Sequence, residues 1–195
     1  MRNPACLSAA GLVLAACSIS TEPATFNGYT ADARAIETDL IADGHYFATP
    51  RAGIPTSGTA TYQGVIGFDA ARSDVVRESY AGQMNVTARF DGFPGDMVTG
   101  RADNFVDSAD RPLDGRLAVT FGNIDRNADP AFSDHVLMNL DGTLTDHRGT
   151  ALGVAVEADG IFLGPSVQAI DGTVNGSMTS IYGVETLTGD YILAR

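Results

Sequence analysis

The chain has 195 residues, of which 12 are basic and 24 acidic, so that its net charge is −12. This acidity argues against nucleic-acid binding and against electrostatic adhesion to an anionic membrane surface, and it suits a soluble domain or a cationic partner. The length is sufficient for one hydrophobic core and short for two.

The first 16 residues have the features of an export signal. Arg2 supplies a positive charge, and Ala5–Ala16 is an uncharged run too short to cross a bilayer, since a spanning helix needs ~20 apolar residues. The sequence LAAC at residues 14–17 resembles the bacterial lipobox, in which the cysteine is lipidated and the chain is cut just before it. We therefore predict a lipoprotein signal peptide over 1–16 and lipidation of Cys17, with an ordinary signal peptide as the alternative.

Both cysteines are accounted for by this processing. Cys6 is removed with the signal and Cys17 carries the lipid, so the mature chain has no cysteine left for a disulfide. The stability of the mature protein must therefore come from a packed core.

The segment 17–56 is predicted to be a lipidated tether followed by one short helix. Ser18–Tyr29 is polar and shows no periodicity, which favours a flexible tether. Thr30–Asp43 has helical spacing, with Thr30 as a cap and with Ile36, Leu40 and Ile41 on one face, and Gly44 ends it. We expect the helix to pack against the outside or one open end of the domain that follows; gating a site is the alternative role.

Residues 57–195 are predicted to be all-β, because apolar and polar residues alternate along eight segments separated by turn signals. Two polar stretches, Asp69–Gly82 and Asp125–Ser133, are expected to be loops at the ends of a single antiparallel eight-stranded β-barrel. The predicted strands are Ser57–Phe68, Met84–Phe90, Met97–Val106, Leu113–Ile124, Ser133–Thr145, Thr150–Leu163, Ala169–Met178 and Val184–Leu193.

Glycines and outward polar residues indicate what kind of barrel this is. Gly172 and Gly176 share the apolar face of their strand, which predicts bending or a close approach of another backbone. An outer-membrane-spanning barrel would need an uninterrupted apolar outer band with aromatic girdles. Most strands here mix Thr, Asp, Asn and Gly, and aromatic residues are 8% of the chain, so a barrel with an apolar interior is preferred.

No catalytic or metal-binding motif is recognisable in the sequence. The histidines, His45, His135 and His147, are interpreted as surface residues, because a zinc site needs three or four nitrogen or sulfur ligands. Asp125–Asp129 has the D-x-N-x-D start of a calcium loop, but the sixth and twelfth positions are Pro130 and Val136. The prediction is a non-enzyme without metal or cofactor, and no ligand-binding residue is assigned.

Three segments carry a resemblance to a known family. They are Pro55–Gly64, Met84–Phe105 with its glycine-containing turn, and Ala158–Met178 with its Gly-Pro turn and alternating strand. Together they resemble, in order and spacing, the barrel segments of transferrin-binding protein B-like lipoproteins. The resemblance implies a lipid-anchored outer-membrane protein that captures an iron- or haem-bearing host protein or a small solute, with a TonB-type receptor as a further partner.

This chain departs from the two-lobed transferrin receptors of that family. It has one barrel and lacks the separate domains that contact transferrin, which argues against transferrin itself as the ligand. Ser18 after Cys17 is the kind of residue that permits export onward to the outer membrane in such lipoproteins. The periplasmic face of that membrane and the cell surface are both consistent with this pattern. The alternative function is a structural envelope lipoprotein with no small ligand.

Overall fold

The computed structural model describes residues 24–126 and 134–195. Within these two ranges, one α-helix precedes eight strands, which pair antiparallel in sequence order, and β8 also pairs with β1 to close a barrel. The elements are α1 (Phe26–Ala42), β1 (Thr59–Arg72), β2 (Val75–Arg89), β3 (Val98–Asp107), β4 (Asp114–Asp125), β5 (His135–Thr145), β6 (Ala151–Leu163), β7 (Ala169–Ser180) and β8 (Gly183–Ala194). The predicted all-β, eight-stranded antiparallel barrel is confirmed. Within the described ranges, α1 included, no helix has the length and apolar character needed to cross a membrane.

The helix begins earlier than its sequence pattern indicates. Thr25 is the N-cap, and its Oγ1 accepts a hydrogen bond of 2.9 Å from the backbone N–H of Gly28. Thr30, the predicted cap, lies inside the helix and donates its hydroxyl to the carbonyl of Phe26. The tether predicted to run to Tyr29 is therefore wrong from Phe26 onward, whereas Gly44, at φ 68°, follows the helix end as predicted.

The stretch Asp69–Gly82, predicted to be a loop, is a long hairpin. β1 continues to Arg72 and β2 starts at Val75, so the turn is only Ser73 and Asp74. Both turn residues have positive φ, 52° and 63°, as a two-residue type I′ hairpin requires. The prediction failed because polar side chains on the outer face of a strand were taken for those of a loop. The other predicted loop lies mostly in 127–133, outside the described residues.

Apolar side chains from all eight strands form one continuous cluster inside the barrel, which confirms the predicted apolar interior. Aromatic rings contribute much of it: the ring centroids of Phe68 and Phe105 are 5.8 Å apart, and those of Phe90 and Phe162 are 5.7 Å apart. The largest side chains with almost no exposure are Tyr62, Tyr191, Phe105, Phe162, Ile66, Met84, Leu117, Met138, Leu140, Leu144, Ile170 and Leu187.

Glycines make room for this packing and for close contact between strands. A Cβ on Gly82 would lie 2.7 Å from the ring of Phe105, and one on Gly160 would lie 2.4 Å from the hydroxyl of Tyr191. A Cβ on either Gly172 or Gly176 would lie 2.2 Å from a carbonyl oxygen of β6. The close backbone approach predicted for the last two glycines is confirmed.

One end of the barrel is crossed by residues 49–58, which we call the strap, and we call this the strap end. Ile54 of the strap is 4% exposed and belongs to the interior cluster. Arg126 donates to the carbonyl of Pro55 at 2.7 Å and pairs with the buried Asp134 at 3.3 Å, while Arg51 approaches the same carboxylate at 3.4 Å. The opposite end carries the β1–β2 and β7–β8 turns, and we call it the hairpin end.

Removing the hydroxyl group from each of two buried tyrosines is expected to change the free energy of unfolding in opposite directions. The Tyr191 hydroxyl has no hydrogen-bond partner among the described residues, and its burial raises its pKa. The Tyr62 hydroxyl donates to the carbonyl of Val167 at 2.9 Å. Because an unpaired buried hydroxyl costs free energy, we expect Tyr191→Phe to raise the free energy of unfolding by about 1 kcal/mol.

Tyr62→Phe is the matched comparison, since it leaves the Val167 carbonyl unpaired and should lower the free energy of unfolding by about 1 kcal/mol. Urea unfolding followed by circular dichroism measures both changes. Equal destabilisation by the two substitutions would mean that the Tyr191 hydroxyl has a partner in solution.

Candidate functional site

A groove of about 360 Å³ lies on the outer surface of the barrel, between α1 and the wall formed by β1, β2 and β8. We call it the α1 groove. Its helical side includes Tyr29, Ala33 and Glu37, and its floor includes Gly67 and Ala81. The groove is thus built by one local element and by strands from both ends of the chain.

The groove exists because α1 packs against the wall near one end of the barrel, whereas the part of the wall that forms the floor has small side chains. Leu40 packs with Leu163, Ala169 and Ile192 on the outside of the barrel, close to the strap end. On the floor, Gly67 is paired with Ala81 on one side and with Asp190 on the other. Neither glycine nor alanine has a side chain long enough to reach the helix, so space remains above them.

A second groove, of about 340 Å³, follows the other flank of α1. It includes Asp32 and Asp39 from the helix and Gln63 and Gln83 from the wall. The helix therefore stands between two depressions, and its contact with the barrel is narrow. The predicted packing of the helix against the outside of the barrel is confirmed for Ile36 and Leu40, whereas Ile41, predicted on the same face, is 57% exposed.

The α1 groove carries an excess of negative charge. Four carboxylates, those of Glu37, Asp69, Asp171 and Asp190, belong to its lining, against the single guanidinium of Arg34. Because like charges are gathered beside an apolar floor, the groove attracts cations more strongly than a flat acidic surface would. Its chemistry suits a ligand with an apolar body and a positive group.

Tyr46 and Asp171 close one end of the groove. The Tyr46 hydroxyl donates to Oδ2 of Asp171 at 3.1 Å. Burial raises the pKa of Asp171, the Tyr46 hydrogen bond opposes this rise, and the charges of Asp190 and Glu37 add to it. Burial, followed by the charge of Asp171, raises the pKa of Tyr46 to about 12. Tyr46 therefore stays protonated at neutral pH, with its single hydroxyl proton donated to Asp171, and its oxygen can accept a hydrogen bond from a cationic ligand.

We expect Tyr46→Phe to raise the pKa of Asp171 further, because the hydrogen bond that favours the carboxylate is lost. A carboxyl group with a raised folded-state pKa stabilises the fold at pH below its unfolded value of about 3.9, and that contribution disappears as the pH rises through the folded value. In the Tyr46→Phe variant, the stabilising contribution of Asp171 should therefore disappear at a higher pH than in the native chain. Titration of the carboxyl carbon by NMR measures the shift.

Tyr29→Phe is the control for this measurement. Its hydroxyl donates to the carbonyl of Asn104 at 2.7 Å, at the other end of the helix. The pKa of Asp171 should not change in that variant. A pKa of Asp171 that moved equally in both variants would show that the Tyr46 hydrogen bond is not the cause.

The residues considered as candidates from the sequence are not brought together by the fold. Cys17 lies outside the described residues, as do Asn127 and Asp129 of the calcium-like motif. His135 pairs with Asp159 at 2.9 Å, and His147 lies in the β5–β6 turn beside Arg148. Within 24–126 and 134–195, no group of three His, Cys, Asp or Glu side chains is placed to hold a metal ion.

No pattern in the sequence indicates the α1 groove. In the sequence, Asp69 falls in a predicted loop and Asp171 and Asp190 fall in two predicted strands; the structure places the three on three different strands. Gly67 lies beside Asp190 because β1 pairs with β8. No local sequence pattern indicates a pairing between the first and last strands.

Comparison of the chain with protein-family models, with curated proteins and with solved structures finds no match. The case for a function therefore depends on the sequence motifs and on the groove.

Proposed function

We propose that this protein is a lipid-anchored binding protein of the bacterial cell envelope, of the transferrin-binding protein B-like type. The leader and the LAAC sequence ending at Cys17 support the anchor. The observation that carries the binding role is the α1 groove, whose volume of about 360 Å³ lies within the range of roughly 300–1,000 Å³ usual for small-molecule clefts. Ligand capture by the outer wall, rather than by the barrel interior, is the mechanism that this geometry favours.

The ligand class that fits the groove is a small solute with an apolar part and a positive group. The carboxylates of Glu37 and Asp171 would pair with the charge, and the floor around Gly67 would receive the apolar part. An iron- or haem-bearing host protein is the other class that the family resemblance implies. Delivery of either to an outer-membrane TonB-type receptor is the role we propose in the envelope.

One observation favours a structural role instead. Buried side chains from all eight strands form a single continuous cluster, so the interior of the barrel is occupied by the protein itself. A barrel of this kind can serve as a rigid body that holds its surroundings together without any small ligand. The two functions differ in whether the outer groove has an occupant.

Gly67→Leu is designed to fill the groove without disturbing the barrel. A Cβ at Gly67 would meet no atom closer than the Tyr80 carbonyl at 3.6 Å, and Gly67 does not have the positive φ that L-residues avoid. Gly153→Leu is the matched control, because a Cβ there lies 3.7 Å from its nearest neighbour, the Thr179 carbonyl, away from the groove.

The test has three arms: thermal shifts with a set of cationic amphipathic solutes, absorption spectra after incubation with haem, and capture of proteins from host serum. For a ligand of the groove, we expect the native chain and Gly153→Leu to bind alike and Gly67→Leu to bind at least tenfold more weakly. Binding that all three proteins share places the ligand elsewhere. If the native chain binds nothing in any arm, the structural role is favoured.

A further inference from the structure

The hairpin end of the barrel carries exposed apolar side chains on two neighbouring turns. Ile181 and Tyr182 at the β7–β8 turn are 81% and 65% exposed, and Val75, Val76 and Val184 beside the two turns are more than half exposed. The hairpins are adjacent because β8 pairs with β1. The guanidinium of Arg72 links them, lying 3.5 Å from Glu185. The five side chains therefore form one apolar patch, which we call the tip patch.

The N-terminus of α1 is fastened at the same end. The backbone N–H of Phe26 donates to Oδ1 of Asp110 at 2.7 Å, and the Tyr29 hydroxyl donates to the carbonyl of Asn104 at 2.7 Å. Asp110 lies in the turn from β3 to β4, on the hairpin end, and Asn104 lies in β3 three residues before the last residue of that strand. The chain that leads back to Cys17 therefore leaves the folded domain beside the tip patch.

The length of that connection limits which end of the barrel can face a membrane. Eight peptide units separate Cys17 from Thr25, so even a fully extended connection spans at most about 28 Å. The 14 residues of β1 correspond to a barrel roughly 35 Å tall, given a strand rise of about 3.3 Å per residue and a tilt of about 40°. A lipid on Cys17 can therefore hold the hairpin end at a bilayer but cannot reach past the strap end.

We propose that the hairpin end docks onto the lipid bilayer, with the tip patch inserted into the interfacial region; this inference rests on the proposed lipid anchor. Tyr182 suits this position because tyrosine favours the boundary between headgroups and acyl chains. Arg77, beside Val76, is exposed and forms no ion pair within the described ranges, so it is available for a lipid phosphate. Because the chain is acidic overall, net charge does not hold the hairpin end at the bilayer. The apolar side chains of the tip patch and the lipid anchor do so. The α1 groove then lies along the side of a barrel standing on the membrane.

The test uses the absence of tryptophan from the chain. The full-length Tyr182→Trp and Phe93→Trp variants are made in a Gram-negative bacterium supplied with labelled fatty acid and purified from its membranes. Each is placed in vesicles of phosphatidylethanolamine and phosphatidylglycerol, with or without bromine on the acyl chains. Phe93 is the matched control because it is 84% exposed and lies in the β2–β3 connection at the strap end.

We expect the emission of the Tyr182→Trp variant to shift to shorter wavelength and to be quenched by the brominated lipid. The emission of the Phe93→Trp variant should be unaffected. Adding Ile181→Asp to Tyr182→Trp should abolish the quenching, since a charged side chain resists insertion, and the exposure of position 181 makes the change harmless to the fold.

The outcomes separate the docking from the anchor. Labelled Tyr182→Trp protein that the brominated lipid fails to quench overturns the docking and leaves the anchor standing, and quenching of the Phe93→Trp variant overturns it as well. Absence of fatty-acid label from both variants overturns the anchor and, with it, the docking that depends on it.

Discussion

Replacing Gly172 with alanine is expected to lower the free energy of unfolding by about 3 kcal/mol. The new Cβ would lie 2.2 Å from the carbonyl oxygen of Asp159 and 2.5 Å from the Cα of Gly160. Both neighbours are backbone atoms of the paired strand β6, so neither can rotate away. Relief requires the strands to separate, which would also disturb the ring of Tyr191 next to Gly160.

Gly153→Ala is the control for this substitution. Its Cβ would lie 3.7 Å from the nearest atom, and the backbone there does not have a positive φ. Alanine restricts the unfolded chain more than glycine does, so this variant should be more stable than the native chain by about 0.5 kcal/mol. Thermal unfolding should therefore give a lower Tm for Gly172→Ala, by about 6–12 °C, and a slightly higher one for Gly153→Ala. Equal Tm values would show that the strands tolerate a wider spacing.

Cys17→Ala is expected to abolish lipidation and to release the protein from the membrane fraction, or to leave an uncut precursor. The thiol is the atom that would receive the lipid, and anchoring depends on acyl chains whose buried CH₂ groups contribute ~0.8 kcal/mol each. The barrel should still fold, because Cys17 precedes β1, which begins at Thr59, by more than the whole of α1. Fatty-acid labelling with membrane fractionation measures both effects.

Cys6→Ala is the matched control, since Cys6 is removed with the predicted signal peptide. That variant should take up label and remain with the membrane like the native chain. Retention of label by Cys17→Ala would contradict the assignment of Cys17 as the lipid site. An unfolded Cys17→Ala protein would contradict the independence of the barrel from its anchor.

The packed interior and the outer groove have a common consequence for function. The side chains inside the barrel pack against one another and stabilise the fold. A substitution on the outer wall, such as Gly67→Leu, can therefore change the groove while the core remains intact. The charged side chains that line the α1 groove lie outside this core, so their substitution should leave it unchanged. We therefore expect binding and stability to be separable by mutation in this protein.

Several features were determined by the sequence alone. Alternation of apolar and polar residues indicated strands and showed which face of each is buried, because that pattern is a local property with a period of two. The close backbone approach at Gly172 and Gly176 was predictable because both interrupt an apolar face. The order of charged, apolar and small residues at the N-terminus predicts a leader and lipidation of Cys17.

Other features were decided only by the tertiary structure. The helix α1 begins earlier than its sequence pattern predicts. The β1–β2 hairpin was predicted to be a loop because the outward face of a strand has the composition of a loop. Alternation states which way a side chain points, but it does not state which strand lies beside it or in what register. The pairing of β1 with β8 therefore could not be read from either strand. That pairing places Gly67 beside Asp190 and joins the two hairpins of the tip patch, so both proposed surfaces depend on contacts between residues more than 100 positions apart.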